Sequence, residues 1–289
     1  MVINTFKSTF FGCLGLLLVL QAPIVKSDNA WSESKWLRIA ENPLSPVFSL
    51  PLKYTHHGGA EAGDINLGSI QPIIPVSLGD WNMINQLSLN IMGTPGLVNG
   101  TAELPEPYPG DGVVGLADTT LTSYFTPAFA SDAFSFGFGP AFVFPTDTLF
   151  SSTEDRRSRQ LGSGKFSVGP AVMFVTQPQP WTLGISVKQV WSVFGSDSRE
   201  SVSQMILEPF INYNLGGGWY LASDMDIISN WYRDDDQRWT VPVGAGVGKL
   251  FTVGEHAINT RVEGYYNPVR PDQSPEWSAN FTLQVLFAK

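Results

Sequence analysis

The chain has 289 residues and a net charge of −9, and only 15% of its residues are charged, against roughly 25% in an average soluble domain. Hydrophobic residues make up 43% of the chain, which argues against intrinsic disorder. No apolar run beyond the N-terminus approaches the roughly 18 residues of a spanning helix, which excludes a multi-span helical membrane protein. The acidic charge argues against a nucleic-acid partner bound through a basic face.

The first thirty residues predict a secretory signal peptide. Lys7 precedes an apolar stretch that becomes more polar from Gln21 to Ala30, as in exported precursors. The sole cysteine, Cys13, lies inside this stretch, so the mature chain is expected to lack disulfides. We divide the chain into a signal peptide (1–30), a periplasmic segment (31–46) and a barrel (47–289). The segment from Trp31 to Glu41 is expected to form a short helix at the barrel mouth or a mobile tail.

Most of the remaining chain has the two-residue periodicity of β-strands. From Trp277 to Phe287, apolar residues alternate with Ser, Asn, Thr and Gln, so one face of this strand is apolar and the other polar. The pattern predicts strands in twelve segments: 47–57, 64–76, 81–92, 113–127, 134–145, 163–175, 181–194, 203–215, 217–232, 238–251, 255–267 and 276–287.

The connections between these segments favour a transmembrane barrel. Short turns at 77–80, 176–180 and 252–254 alternate with long loops at 93–112 and 146–162, as in outer-membrane barrels. The strands of a soluble β-sandwich also alternate between apolar and polar residues, but the surface of a sandwich is expected to be rich in charged residues. Here the polar positions are mostly Ser, Thr, Asn, Gln and Gly. We therefore predict an all-β fold, a closed antiparallel barrel of about 12 strands with both termini in the periplasm.

Seven tryptophans mark the ends of the predicted strands, where outer-membrane barrels carry aromatic belts at the two membrane interfaces. The expected belt beside the short turns comprises Trp81, Trp181 and Trp219, and the opposite belt comprises Trp191, Trp231, Trp239 and Trp277.

Several sequence pieces together resemble a bacterial outer-membrane family labelled "MetA-pathway of phenol degradation", whose members are also labelled "transporter" or "neuromedin U". The pieces follow one another along nearly the whole mature chain. They are Asn42-Pro43, Phe48-Ser49-Leu50-Pro51-Leu52, Ile70-Gln71-Pro72-Ile73-Ile74-Pro75-Val76, Gly137-Phe138-Gly139-Pro140, Leu161-Gly162-Ser163-Gly164-Lys165, Val168-Gly169-Pro170-Ala171, Glu208-Pro209-Phe210, Trp239-Thr240-Val241-Pro242-Val243 and Leu286-Phe287-Ala288-Lys289.

The resemblance implies an outer-membrane barrel that moves small molecules, and its label implies aromatic or other hydrophobic cargo. It supplies no catalytic motif. We expect passive passage, because the sequence shows no energy-coupling element. The alternatives are a plugged structural or adhesion barrel and a lipid-modifying outer-membrane enzyme.

If the apolar face of each strand meets lipid, the two-residue period places eight charged side chains in the lumen. They are Lys53, Lys165, Lys188, Glu208, Asp224, Asp226, Arg261 and Glu263. Such a set predicts a charged constriction that orients a permeating solute. The same charges are also consistent with an internal salt-bridge network that only stabilises the barrel.

Enzymatic and metal chemistry find little support in the sequence. The only histidines are His56, His57 and His256, and the first two are expected to point to opposite faces of one strand. No GxSxG elbow or spaced metal-ligand pair is present. We expect no catalytic residues, no metal and no cofactor.

The expected partners are those of an outer-membrane barrel: membrane lipid, the barrel-assembly machinery and a small-molecule solute. Arg156, Arg157 and Arg159 lie in a long loop and could contact lipopolysaccharide phosphates. The acidic loop at Asp234, Asp235 and Asp236 is expected either to be solvated or to hold a divalent cation near lipopolysaccharide.

Overall fold

Antiparallel strands pair in sequence around a sheet that closes on itself. The computed structural model describes residues 32–96, 98–100, 102–103, 105–128, 134–149 and 161–287. The predicted signal peptide, Cys13 and the three loop arginines at 156, 157 and 159 lie outside this part of the chain.

The helix and strands have the following bounds in chain order. They are α1 (Glu33–Ala40), β1 (Ser49–Gly58), β2 (Ile65–Ile70), β3 (Ile73–Leu78), β4 (Trp81–Thr94), β5 (Val98–Gly100), β6 (Pro105–Pro107), β7 (Val113–Leu116), β8 (Thr119–Pro127), β9 (Phe134–Phe144), β10 (Thr148–Leu149), β11 (Lys165–Thr176), β12 (Trp181–Gly195), β13 (Ser203–Gly216), β14 (Trp219–Asp224), β15 (Ile227–Asn230), β16 (Trp239–Val253), β17 (His256–Val269) and β18 (Trp277–Leu286).

The barrel has twelve antiparallel wall strands, which confirms the predicted fold class. It closes where β1 pairs with β18 along the register from Ser49↔Leu286 to Gly58↔Trp277. Four wall strands are interrupted, so that β2 continues as β3, β7 as β8, β9 as β10, and β14 as β15. The short strands β5 and β6 form a separate hairpin within the loop between β4 and β7.

Alternation places apolar side chains outside the barrel and polar ones inside. On β14, Trp219 and Leu221 are exposed on the outer face, whereas Tyr220 and Ala222, which alternate with them, are buried. On β18, the inward positions hold Asn280, Thr282 and Gln284, all buried. Burial inside the barrel therefore follows the period-two pattern of the sequence.

The two ends of the barrel differ in their connections. At the turn end, short connections such as Gly216 to Gly218 join the strands, and all three of these glycines have positive φ, which other residues rarely adopt. At the loop end, the connections are longer, as between β4 and β7. In outer-membrane barrels the short turns are periplasmic and the long loops extracellular.

The N-terminal segment, residues 32–48, enters the barrel from the turn end. Ser32 caps α1 by accepting a hydrogen bond from the Lys35 amide, which satisfies one of the free donors of the first turn. Trp36 and Leu37 on this helix are buried against inward residues of the wall, including Tyr220. No helix in the described part of the chain is long and apolar enough to cross a membrane.

The loop between β4 and β7 folds inward at the opposite end. Val98 and Ala102 of this loop are buried in an apolar cluster with Ile65 and Met92, which belong to β2 and β4. Arg233 Nη2 lies 2.6 Å from the Oε2 atom of Glu106 and so joins this loop to the loop before β16. Burial raises the pKa of Glu106, and the Arg233 charge opposes that rise.

We expect Trp36→Ala to release the N-terminal segment from the barrel. Trp36 is 2% exposed, and truncating a buried tryptophan costs roughly 3–5 kcal/mol. Trypsin should then cleave the refolded variant after Lys35 and Arg38 while leaving the barrel intact. Heat-dependent gel mobility reports barrel closure in the same sample.

Trp219→Ala is the matched control, because Trp219 lies on the outer face. Its N-terminal segment should stay as protected as in the parent protein. Equal protection of the Trp36→Ala variant would show that this side chain does not hold the segment in place.

Candidate functional site: the luminal cavity

The N-terminal segment and the inward loop leave a cavity of about 380 Å³ inside the barrel. This volume lies within the roughly 300–1,000 Å³ of small-molecule sites. Residues from Ile39 to Pro43 line it on the turn side, and Ala102 and Glu103 line it on the loop side. Wall strands from around the barrel supply the remaining lining.

Hydrogen bonds from the wall hold the N-terminal segment, which forms the floor of the cavity at the turn end. The Oε2 atom of Glu41 accepts from Thr182 Oγ1 at 2.7 Å and from Asn214 Nδ2 at 3.3 Å. Burial raises the pKa of Glu41, and these hydrogen bonds oppose that rise. Gln177 Nε2 also donates to the Arg38 carbonyl at 2.8 Å, and Gln86 Nε2 donates to the Pro43 carbonyl at 3.1 Å. The segment is therefore attached to several separate strands.

One wall of the cavity carries paired charges. Lys188 Nζ lies 2.7 Å from Glu208 Oε1 on the adjacent strand. Arg261 bridges two acids, with Nη2 3.0 Å from Asp224 Oδ2 and Nε 2.9 Å from Glu263 Oε2. Such close ion pairs offset part of the cost of removing these groups from water.

A tyrosine completes the network around Arg261. Tyr265 Oη donates to Glu263 Oε1 at 2.8 Å and accepts from the Asp224 amide at 2.7 Å. It reaches Asp224 across β16, where the inward position is Gly244. A Cβ atom at Gly244 would lie 2.6 Å from Tyr265 Cδ1, so a larger residue would displace the ring. Gly244, Gly246 and Gly248 alternate along β16, and each lies against side chains of a neighbouring strand.

The wall has a seam beside this network, between the strand formed by β14 and β15 and its neighbour β16. Their pairing runs from Trp219↔Lys249 to Ala222↔Gly246, then resumes only at Ile228↔Thr240. Pro242 lies in the unpaired stretch and has no amide hydrogen to donate. We call residues 223–227 and 241–245 the seam.

The opposite wall of the cavity is uncharged and polar. Ser69 Oγ donates to Asn90 Oδ1 at 2.7 Å, and Asn90 Nδ2 donates to the Asp118 carbonyl at 2.9 Å. Ser88, Thr120 and Thr122 add hydroxyl groups to this surface. A solute in the cavity would therefore meet paired charges on one side and neutral hydrogen-bonding groups on the other.

The predicted lumen residues take three kinds of position. Glu263 lies next to the cavity in contact with Arg261. Lys165 is the first residue of β11 at the loop end, outside the lining. The remaining six line the cavity: Lys53, Lys188, Glu208, Asp224, Asp226 and Arg261. Their role in selectivity stays a prediction.

Sequence reasoning missed several titratable residues at this site, among them Glu41, His57, Glu103 and Tyr265. Tyr265 shares the parity of Arg261 and Glu263, so the two-residue period could have identified it. Glu41 and Glu103 lie outside the wall strands, where this period gives no orientation.

The predicted belt tryptophans lie near both ends of the barrel. Trp81, Trp181 and Trp219 begin β4, β12 and β14 at the turn end. Trp231, Trp239 and Trp277 lie at the loop end, and Trp191 lies four residues before the end of β12. Six of the seven are exposed, Trp239 being half-buried. Their function as interfacial belts stays a prediction.

The histidines are separated in space. His56 Nδ1 lies 3.0 Å from Asn66 Oδ1, whereas the neighbouring His57 lines the cavity. The ring of His256 packs against Phe287 with 5.1 Å between centroids. Within the described ranges, no group of three or more His, Cys, Asp or Glu residues is placed to hold a metal ion.

Comparison with known proteins supports the fold. No family model matches the chain, and no curated protein matches it. The COG4313 outer-membrane channel from Pseudomonas putida F1 is 15% identical, with a TM-score of 0.59 over 91% of this chain and 100% of that one. By fold, this protein is an outer-membrane β-barrel. The family label inferred from the sequence stays a prediction.

Two other barrels match less closely. The CymD monoaromatic hydrocarbon channel is 9% identical, with a TM-score of 0.43 over 87% of this chain and 92% of that chain. The Pseudomonas putida toluene transporter TodX is 10% identical, with a TM-score of 0.38 over 83% of this chain and 87% of that chain. The neighbours named here are transport channels rather than enzymes.

We expect Arg261→Met to destabilise the barrel. The Glu263 side chain is 1% exposed, and removing one partner of a buried ion pair costs roughly 3–5 kcal/mol. The double variant Arg261→Met/Glu263→Gln should recover much of this loss, because it leaves no unpaired charge at position 263. Urea unfolding of the refolded barrel in lipid vesicles measures both effects. A double variant as unstable as the single one would contradict the assigned pairing.

Proposed function

We propose that this barrel is a passive outer-membrane channel for small molecules. The observation that carries the proposal is the polar, charge-lined cavity within a closed barrel. Its floor and roof are formed by the N-terminal segment and the inward loop, which are attached through side-chain contacts and are not strands of the wall. Movement of either element would lengthen the cavity into a path.

The lining favours polar solutes and cations. Five acidic residues line the cavity, namely Glu41, Glu103, Glu208, Asp224 and Asp226. Three basic residues line it, namely Lys53, Lys188 and Arg261. Acidic rings favour cations in channels, so a net negative lining should attract cations and repel anions.

Single-channel recording in planar bilayers tests this proposal. The refolded parent should show discrete openings with a cation preference in a KCl gradient. Asp226→Asn should lower that preference by removing one negative charge from the lining. The reversal potential should move toward zero, while folding, followed by heat-dependent gel mobility, stays unchanged.

Asp111→Asn is the matched control, because it removes the same charge from an exposed loop position. Its reversal potential should equal that of the parent. A correctly folded parent that never opens would contradict the channel and favour the plugged structural barrel. Lipid hydrolysis that is lost in His256→Ala would favour the enzyme.

A second candidate function concerns aromatic or other hydrophobic cargo, the class implied by the sequence resemblance. The seam is its supporting observation, since unpaired backbone groups in a barrel wall weaken the contact between strands. Met225 and Val243 would face each other there if the flanking register continued. We propose that hydrophobic solutes leave the cavity sideways through the seam into the membrane.

A disulfide across the seam distinguishes the two proposed routes, which are ion passage through the lumen and sideways release of hydrophobic solutes into the membrane. Met225→Cys/Val243→Cys, once oxidised, should block transfer of a hydrophobic probe such as toluene into vesicle lipid and leave ion conductance unchanged. The same pair after reduction should behave like the parent. Leu221→Cys/Val247→Cys is the control, because these residues are already paired across the same two strands. Unchanged toluene transfer in the oxidised seam variant would contradict sideways release.

We further propose the partners expected of such a barrel: outer-membrane lipid around the wall and the assembly machinery during insertion. Exposed acidic residues Asp234, Asp235 and Asp236 lie at the loop end. Arg238 Nη2 is 2.7 Å from Asp235 Oδ1, so this loop has a basic as well as an acidic group to offer to lipopolysaccharide.

A further inference from the structure

Among the described residues, two oppositely charged groups of the cavity lining lie outside its close ion pairs. Lys188 pairs with Glu208, and Arg261 pairs with Asp224 and Glu263. The Lys53 ammonium and the Asp226 carboxylate line the same cavity. In the described part of the chain, neither forms an ion pair or a side-chain hydrogen bond, and they do not pair with each other.

The two groups come from separate regions of the wall. Lys53 lies on β1, and Asp226 lies between β14 and β15. Three strands, β18, β17 and β16, separate these positions around the barrel. Both side chains nevertheless line the same cavity, together with Lys188, Glu208 and Asp224. The described lining therefore offers one basic and one acidic group that no close ion pair occupies.

We propose that Lys53 and Asp226 form a binding site for a small zwitterion. Its ammonium group would lie against Asp226 and its carboxylate against Lys53. This inference rests on the proposed channel function and specifies a substrate class for it. A buried charge without a close partner is costly, and a solute with both complementary charges relieves both costs at once.

Singly charged and neutral solutes fit this site less well. A cation is attracted by Asp226 but repelled by Lys53, whereas an anion is attracted by Lys53 but repelled by Asp226. A neutral solute leaves both charges unpaired. The hydroxyl and amide groups of Ser69, Ser88 and Asn90 offer hydrogen bonds to the uncharged part of a small polar solute. The lining thus discriminates by the arrangement of charge and not by net charge alone.

Alanine and lactamide test the inference, because they are isomers that differ in charge separation. Alanine is a zwitterion at neutral pH, and lactamide is neutral. Uptake of each labelled compound is measured at low concentration into vesicles containing the refolded protein. Alanine should enter faster than lactamide, and excess unlabelled alanine, but not lactamide, should compete.

Lys53→Met and Asp226→Asn should each lower alanine uptake about tenfold, the effect of roughly 1.4 kcal/mol. Lactamide uptake should stay unchanged in both variants. The double variant should be little worse than either single one, since the two poles act as one site. Lys165→Met and Asp111→Asn, which change charges outside the cavity lining, serve as matched controls and should retain parental uptake.

Two results would overturn the zwitterion site while leaving the channel intact. One is equal uptake of alanine and lactamide by the parent. The other is an equal loss of both compounds in the two variants, which would mean that Lys53 and Asp226 maintain the pore without selecting its solute. If neither compound enters through the folded parent, the proposed channel itself fails and the zwitterion site fails with it.

Discussion

Backbone hydrogen bonding in lipid is the constraint on which the rest of the structure depends. A membrane interior offers no water to unpaired amide and carbonyl groups, so a sheet can cross it only as a closed barrel. Here closure is made by β1 and β18, whose ten residue pairs join the two ends of the sheet. Once the sheet is closed, successive side chains must face lipid and lumen in turn. The apolar exterior and the polar cavity are both consequences of this alternation.

The enclosed lumen concentrates polar groups that would otherwise be spread over a solvated surface. Arg261, Asp224 and Glu263 form one network there, and Lys188 and Glu208 form another pair. Glycines on β16 leave space for the side chains of the neighbouring strand. Beside them, Pro242 lies where β16 is not paired with β14 or β15. Charge pairing, small residues and the seam are therefore parts of one local arrangement in the wall.

The cavity is bounded by the parts of the chain that are not wall strands. The N-terminal segment buries Trp36 and Leu37 against inward residues, and the loop after β4 buries Val98 and Ala102 in the same manner at the other end. The N-terminal segment is also attached through polar contacts to the wall, and the loop after β4 is attached to the loop before β16. The wall therefore provides most of the cavity lining, and these two elements bound it at the two ends.

The sequence by itself determined the strands, their number and the side each residue faces, because the two-residue period is a local property that lipid enforces along every wall strand. Lys53, Asp226 and Arg261 could be assigned to the lumen on that basis. The sequence could not determine which charges pair, because it is the order and register of the strands that bring Arg261 on β17 to Asp224 on β14. Glu41 and Glu103 were not predicted because the segments that contain them show no two-residue alternation of apolar and polar residues. Only the tertiary structure decided that these segments turn inward, since their burial depends on apolar partners distant in sequence.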